Sequence, residues 1–568
     1  MEEHFDAIVV GSGFGGSVAA CRLSEAGKRV CMFERGRPFP PGSFARTPHE
    51  MRANVWDPDR GLYGLFDLWS FRNLESIVSA GLGGGSLIYA NVLIRKDERW
   101  FVRDAAPWEA YEHWPVTRAK LDPFYERAER MLHGQVFPLD QPPFDTTKKT
   151  LAMRDAAREL GVPVSDRNSY DPTRPAWYLP LLAVSFANEG AAPKVGEALR
   201  EEVRNLHDVD RQTCRLCGEC DIGCNYGAKN TLDLTYLSAA KAHGAEIRTL
   251  CEIKSIEPHR AGYRIGYVDH TARSGKHSVM RYASCTKLFV GCGTLGSNYL
   301  LLRNRHNLPA LSGRLGQRFS GNGDMISFVF GARAGRSNRK GRALDGTRGP
   351  VITSTFRLPD ALDGDSGRGL YLQDAGYPYF VSWLVEAGDV RSSLHRLIRF
   401  VGARVAAMVE NAPRSRISRD LSGLIGDARL STDSLPLLGM GRDTPDGVLS
   451  LAADRTGEEW LEIDWHAAAS KPYLRRAERF SRNVGRALGG TFVLNPLTRL
   501  ANNLITVHPL GGVAMSRSAN EGVVDEFGEV WGHRGLYVVD GSVMPGPVGA
   551  NPSLTIAAFA ERCVDRIC

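Results

Sequence analysis

Three sets of residues in this 568-residue chain have types and spacings that can do chemistry. The first is Gly11, Gly13 and Gly16, followed 23 positions after Gly11 by Glu34. A G-x-G-x-x-G spacing lets the chain turn tightly, brings backbone against a pyrophosphate and packs a helix on a strand; the later acid accepts ribose hydroxyls. The second is "CRLCGECDIGC", where Cys214, Cys217, Cys220 and Cys224 stand at C-x2-C-x2-C-x3-C. That spacing suits an iron–sulfur cluster, with three thiolates from the run and Cys224 or a distant cysteine as the fourth. Asn225, not proline, follows the last cysteine. Zinc fits less well, since its sites usually divide into two pairs. The other reading is a glycine-broken turn of packed thiols. The third set is His508 in "TVHPLGG" and Asn551 in "GANPS". Histidine can move a proton near neutral pH. Asn551 reads as a helix N-cap, with Pro552 at the first helical position.

These residues need elements to hold them. Residues 5–34 read as strand ("DAIVV"), glycine turn ("GSGFGG"), helix ("SVAACRLSEAG") and strand ("RVCMFE"). Residues 36–75 read as loop, and "GLGGGS" follows at 81–86. "RAKLDPFYERAERML" and "GAAPKVGEALREEV" carry helical patterns. Residues 322–385 alternate as antiparallel strands with one buried face. Strand–loop–helix features return at 500–568, and the helix after Asn551 directs its positive end at whatever precedes it.

Length and composition narrow the classes. A chain of 568 residues exceeds one compact core, so two or more domains are expected. With 43% apolar and 24% charged residues it is globular, and a net charge of +7 without a concentrated basic stripe argues against nucleic-acid binding. No 18-residue apolar run is present, and no secretory pattern precedes the first strand. Eleven cysteines then read as reduced thiols or metal ligands, and the location expected is cytoplasmic.

Read together, "GSGFGG…ERG", "GLGGGSLIYANV", "CGTLGSNYLLL", "HPLGG" and "VDGSVMPGPVGANPSLTIAAFAER" resemble the glucose–methanol–choline (GMC) oxidoreductases, in particular their cholesterol-oxidase-like branch. The likeness spans nearly the whole chain. It implies an α/β fold plus antiparallel sheet: a Rossmann-type FAD-binding domain assembled from 1–100, 206–320 and 500–568, with a substrate domain of antiparallel sheet and helices at 101–205 and 321–499. It implies FAD held by Gly11, Gly13, Gly16 and Glu34 together with Phe14 and Gly15. Gly83, Gly84, Gly85, Ser86 and Asn91 would lie near the flavin, Asp540 and Gly541 near the pyrophosphate, and Ile253, Gly293, Asn551 and Pro552 elsewhere along the cofactor. The family's catalytic pair falls on His508, handling the hydroxyl proton, and Asn551, holding the alcohol oxygen while flavin N5 takes the hydride. One departure stands out: Ile88–Tyr89–Ala90–Asn91 replaces the "VNGG" of secreted cholesterol oxidases.

The expected reaction is oxidation of a bulky apolar alcohol, either a steroid-like 3-hydroxyl or a long-chain alcohol, with oxygen or another electron acceptor as partner. The alternatives are a dehydrogenase passing electrons through an iron–sulfur cluster, and non-redox lyase or decarboxylase chemistry on the same fold. In "SSLHRLIRFVGARVAAMVENAPRSR", Leu394, Leu397, Ile398, Val401, Val405 and Met408 follow helical spacing beside Arg391, Arg396, Arg399 and Arg404. A helix packed on the sheet domain is favoured over one touching a membrane surface.

Overall fold

A computed structural model describes residues 3–102, 112–274, 277–333, 341–377, 432–455, 457–495 and 504–568. The run "FDAIVV" enters the strand Glu3–Val10, whose last four residues are all buried. On one side it pairs in parallel with Val30–Phe33, which in turn pairs in parallel with Glu246–Arg248; on the other it pairs in parallel with His277–Val290. Leu536–Val538 adds a further parallel strand at Leu288–Val290. An antiparallel hairpin, Cys251–His259 and Gly262–Ser274, completes a seven-stranded sheet. Parallel strands need both faces covered, and the apolar runs of Glu3–Val10 and His277–Val290 supply that burial. The Rossmann-type sheet is therefore built from pieces far apart in sequence.

Three helices pack side by side next to this sheet: Phe14–Glu25, Ser553–Asp565 and Arg118–Met131. The first two are joined by a forked ion pair, Arg22 Nε to Glu561 Oε2 (2.9 Å) and Arg22 Nη2 to Glu561 Oε1 (2.7 Å), with Glu561 wholly buried and also accepting from Tyr236. Two parallel charge-assisted bonds fix angle as well as distance. Arg118–Met131 lies in the stretch assigned from sequence to the substrate domain. It nonetheless buries Leu121, Tyr125 and Ala128 in the same core as the fingerprint helix.

A second, six-stranded sheet is antiparallel throughout. Its order is Thr491–Leu494, Met325–Phe330, Leu435–Gly441, Leu370–Asp374, Thr355–Leu358 and Ala176–Tyr178. The expectation of a single buried face is corrected here, because Leu370–Asp374 is buried at every position. Leu370 and Leu372 pack with Ala152, Met153, Tyr473 and Val484 of the helices Lys148–Glu159 and Lys471–Ala487. Tyr371 points oppositely, into a cluster with Trp100, Met440 and Ala550. Strand alternation therefore sends Gln373, two residues on, to the Tyr371 side.

"GAAPKVGEALREEV" forms no helix. Gly196 takes a left-handed φ of 69°, and the Asn188 amide competes for the backbone by accepting from Arg200 N–H (2.8 Å) and donating to Ala198 C=O (3.1 Å). The amphipathic stretch beginning at Ser392 lies outside the described residues up to its end. Among the described residues no helix is long and apolar enough to cross a membrane.

Candidate active site

One cavity of ≈ 660 Å³ runs between the two sheets' neighbourhoods. At one end its wall holds Gly11, Gly13, Phe14 and Glu34, then Gly84, Gly85, Asn91, Ile253 and Gly293; Asp540 and Gly541 also border it. His508, Asn551 and Pro552 line the same space. Four of the cofactor residues proposed from sequence do not line it, and their surroundings give them other work. A Cβ on Gly15 would sit 1.8 Å from Val539 O, and one on Gly16 would sit 2.0 Å from Gly11 O, so both glycines permit close backbone packing. Gly83 N–H donates to Ser12 Oγ (2.9 Å), and Ser86 Oγ donates to Gly83 O (2.7 Å) while accepting from Leu232 N–H (3.0 Å), which shapes the loop from behind.

His508 sits between the short strands Leu504–Thr506 and Leu510–Gly512. Its Nδ1 is 2.8 Å from Oδ1 of Asp324, a carboxylate buried just before the strand Met325–Phe330. The other oxygen, Oδ2, accepts from Val507 N–H (2.8 Å), His508 N–H (3.1 Å) and Thr506 Oγ1 (3.0 Å). A carboxylate can only accept, so Nδ1 carries the ring proton and Nε2 keeps its lone pair.

The N-cap reading of Asn551 is corrected. The helix Ser553–Asp565 starts later, Pro552 holds the cap position, and no side chain caps it. The Asn551 side chain is engaged elsewhere: its Oδ1 accepts from Gln373 Nε2 at 2.8 Å. That bond leaves the Nδ2 donor for the cavity. Asp324 and Gln373 were not found from sequence. They lie 184 and 178 positions from their partners, and an aspartate after "GNG" or a glutamine in a strand carries no distinguishing pattern.

Comparison with known proteins supplies the family. Residues 186–310 and 462–560 match models of "GMC oxidoreductase", and residues 9–50 match the "NAD(P)-binding Rossmann-like domain". The "Cholesterol oxidase" of Mycobacterium tuberculosis (strain CDC 1551 / Oshkosh) is 30% identical, across 99% of this chain and 91% of its own. The chain belongs to the GMC oxidoreductase family. A "Cholesterol oxidase" of Acinetobacter baumannii is 28% identical over 99% of this chain and 94% of its own; a "Long-chain-alcohol oxidase" of Arabidopsis thaliana is 23% identical over 98% and 66%. The solved structure of "pyridoxine 4-oxidase from Mesorbium loti" shares the fold, with a TM-score of 0.59, 17% identity and coverage of 99% and 98%.

This GMC oxidoreductase is an FAD-dependent alcohol oxidoreductase, and its residues fit the cofactor. The helix Phe14–Glu25 begins at Gly13 with no side chain capping it, so its first N–H groups remain for an anion. Glu34 is buried and binds Ser12 N–H (2.9 Å) and Gly36 N–H (2.8 Å), one on each carboxylate oxygen. Oε2 also accepts from Ser12 Oγ (2.6 Å), so Oε1 is the oxygen that can accept again, from a ribose hydroxyl. A Cβ on Gly85 or Gly293 would meet nothing within 4 Å, so both open onto the cavity. Asn91 is fully buried on the cavity wall; its amide meets the Cys220 thiol but no nitrogen or oxygen partner among the described residues, so it keeps capacity for a polar cofactor edge.

The metal reading of the cysteine run is corrected. Among the described residues no group of three or more His, Cys, Asp or Glu is placed to hold a metal ion. The run is instead tied to separate neighbours: Cys214 N–H donates to Ser185 O (2.9 Å), Cys217 bridges to Gly349, and Asn225 Nδ2 donates to Phe44 O (3.0 Å). Burial pushes the Cys214, Cys217 and Cys220 thiols up. Lys229, itself pushed down to about 8 by burial, stitches the turn by donating to Cys220 O (2.7 Å) and Leu87 O (3.0 Å). Asp221 and Ile222, between the cysteines, are what reach the cavity wall.

Proposed function

We propose that the alcohol is bulky and apolar, that His508 and Asn551 hold its oxygen, and that oxygen is the electron acceptor. The observation carrying this reading is that each of the two side chains is fixed from behind by a buried partner, leaving one complementary atom for the cavity. The alcohol O–H donates to His508 Nε2, while Asn551 Nδ2–H donates to the same oxygen. That pair of bonds orients the carbinol C–H. Bound FAD supplies the two-electron acceptor. As the C–H hydrogen leaves with its bonding pair, His508 takes the hydroxyl proton at Nε2 and the alcohol becomes a carbonyl. The helix Ser553–Asp565, uncapped at its start, brings a positive end to the same wall and favours negative charge there.

Ile326, Val351, Leu437, Leu438 and Val507 on the cavity wall favour an apolar substrate. The similarity to cholesterol and long-chain-alcohol oxidases supports both that class and oxygen as acceptor. Eleven cysteines, none paired, support a reducing compartment such as the cytoplasm. The test is an anaerobic screen of 3-hydroxysteroids, long-chain alcohols and sugars for bleaching of the bound flavin, followed by oxygen and a peroxide assay. Bleaching by sugars alone would overturn the substrate class. Reoxidation by an artificial acceptor but not by oxygen would overturn the acceptor.

A further inference from the structure

The turn from Ser320 to Asp324 joins the strands Gln317–Ser320 and Met325–Phe330, and it touches both members of the reacting pair. At its end Asp324 holds His508. Two residues earlier, Asn322 reaches the segment before Asn551: Oδ1 accepts from Gly549 N–H (2.9 Å), and Nδ2 donates to Ala550 O (2.9 Å). The side-chain amide thus serves as a local strand partner for consecutive residues, an arrangement that fixes their position along both hydrogen-bonding directions. Asn322 is fully buried and takes a left-handed φ of 53°, a region asparagine enters more readily than most residues.

The turn has little room to shift. Asp443 accepts from Ser320 Oγ (2.5 Å), Gly321 N–H (3.0 Å) and Gly323 N–H (3.1 Å). Tyr473 OH donates to Gly323 O (2.7 Å), and Gly441 N–H donates to Asn322 O (2.9 Å). Asp443 and Tyr473 are themselves buried. With its backbone pinned by Gly441 at the end of a second-sheet strand, by Asp443 just beyond it and by Tyr473 on the helix Lys471–Ala487, the turn acts as a rigid spacer. One of its side chains sets the ring of His508, and another sets the backbone carrying Asn551.

We propose that Asn322 is a positioning residue for Asn551, and that the Ser320–Asp324 turn sets the spacing between His508 and Asn551. The proposal rests on these two being the pair that holds the alcohol oxygen. Asn322→Gly keeps the left-handed backbone and deletes both bonds. The rate of anaerobic flavin reduction at saturating alcohol should then fall roughly 10- to 100-fold, the scale of a small misplacement of reacting groups, with FAD content unchanged. The deciding measurement is a double-mutant cycle with Asn551→Ala. Where Asn551 is already gone, Asn322→Gly should cost less than about twofold, because both changes act through one group. An equal cost with and without Asn551 overturns the proposal and makes Asn322 a general packing residue. If Asn551→Ala alone leaves reduction unchanged, the reading of the reacting pair fails first and takes the proposal with it, a separate and recognisable result. If Asn322→Gly does not fold with FAD, Asn322→Asp goes through the same cycle, since it is isosteric and keeps the acceptor for Gly549 while losing the donor to Ala550.

Discussion

Replacing Asp324 with asparagine keeps its shape and moves one proton. In the enzyme Oδ2 accepts from two backbone N–H groups, of Val507 and His508, as well as from Thr506 Oγ1. Only the oxygen of the substituted amide could serve those donors, so its NH2 must take the place of Oδ1, 2.8 Å from His508 Nδ1. An amide N–H only donates, so Nδ1 becomes the acceptor and the ring proton moves to Nε2. An Nε2 that already carries a proton cannot take one from the alcohol. The loss should approach the whole general-base contribution, on the order of 10²- to 10⁴-fold in kcat, or about 3–5 kcal/mol. Asp324→Ala behaves differently. It leaves the ring free to adopt either tautomer, so it should be the faster variant; it also orphans buried donors at about 1–3 kcal/mol each, so it should be the less stable one. Stopped-flow bleaching of the flavin band under anaerobic alcohol gives the rates, and thermal unfolding of the holoenzyme gives the stabilities. An asparagine variant reducing flavin within about threefold of the parent, or an alanine variant slower than it, would refute the tautomer argument.

Gln373→Ala frees the Asn551 amide to turn, and flavin reduction should slow by roughly tenfold, more in kcat than in KM; an unchanged kcat would dismiss the orienting bond. Gly15→Ala places a Cβ 1.8 Å from the Val539 carbonyl, where only backbone could give way. The purified variant should carry far less FAD per chain by its visible-to-ultraviolet absorbance ratio, and full occupancy would contradict the packing. Burial raises Asp443 to about 7 despite its three hydrogen bonds. Because its folded value lies above the unfolded one, its contribution is greatest in acid and is lost as pH rises to about 7. The slope is at most ~1.4 kcal/mol per pH unit, and Asp443→Asn should remove it from stability measured between those limits. Cys217→Ser and Cys220→Ser should leave a flavin-only visible spectrum and background iron in both variants and parent; broad extra absorbance in the parent, lost on substitution, would restore the cluster.

What could be read in advance was whatever depends on neighbours in the chain. The glycine fingerprint and Glu34 sit within one strand–helix–strand unit, and "GSVMPGPVGANPS" is a continuous loop entering a helix. What lay hidden was set by contacts across the fold. Asp324, Gln373 and Asn322 acquire meaning only because the second sheet brings them against segments beyond residue 500. Local rules also misled in three places: "GAAPKVGEALREEV" has helical periodicity but loses its backbone to Asn188, and Asn551 has the ideal type for a cap but spends its side chain on Gln373. The cysteine run is the third instance, since its spacing matches a cluster while its backbone is anchored in separate places.

The interleaved central sheet also sets the order in which this molecule can be made. As the chain leaves the ribosome, Glu3–Val10 has no neighbour on one side until residue 277 is synthesised, and His277–Val290 lacks its last parallel partner until residue 536. The fingerprint helix gains the buried Glu561 that anchors Arg22 later still. A nascent chain therefore holds an open apolar strand edge for most of its synthesis, the state in which chaperones and aggregation compete. The cavity wall likewise lacks Asp540, Gly541 and Asn551 until those residues are made, so the site as described is complete only after the segments beyond residue 536 have joined the sheet.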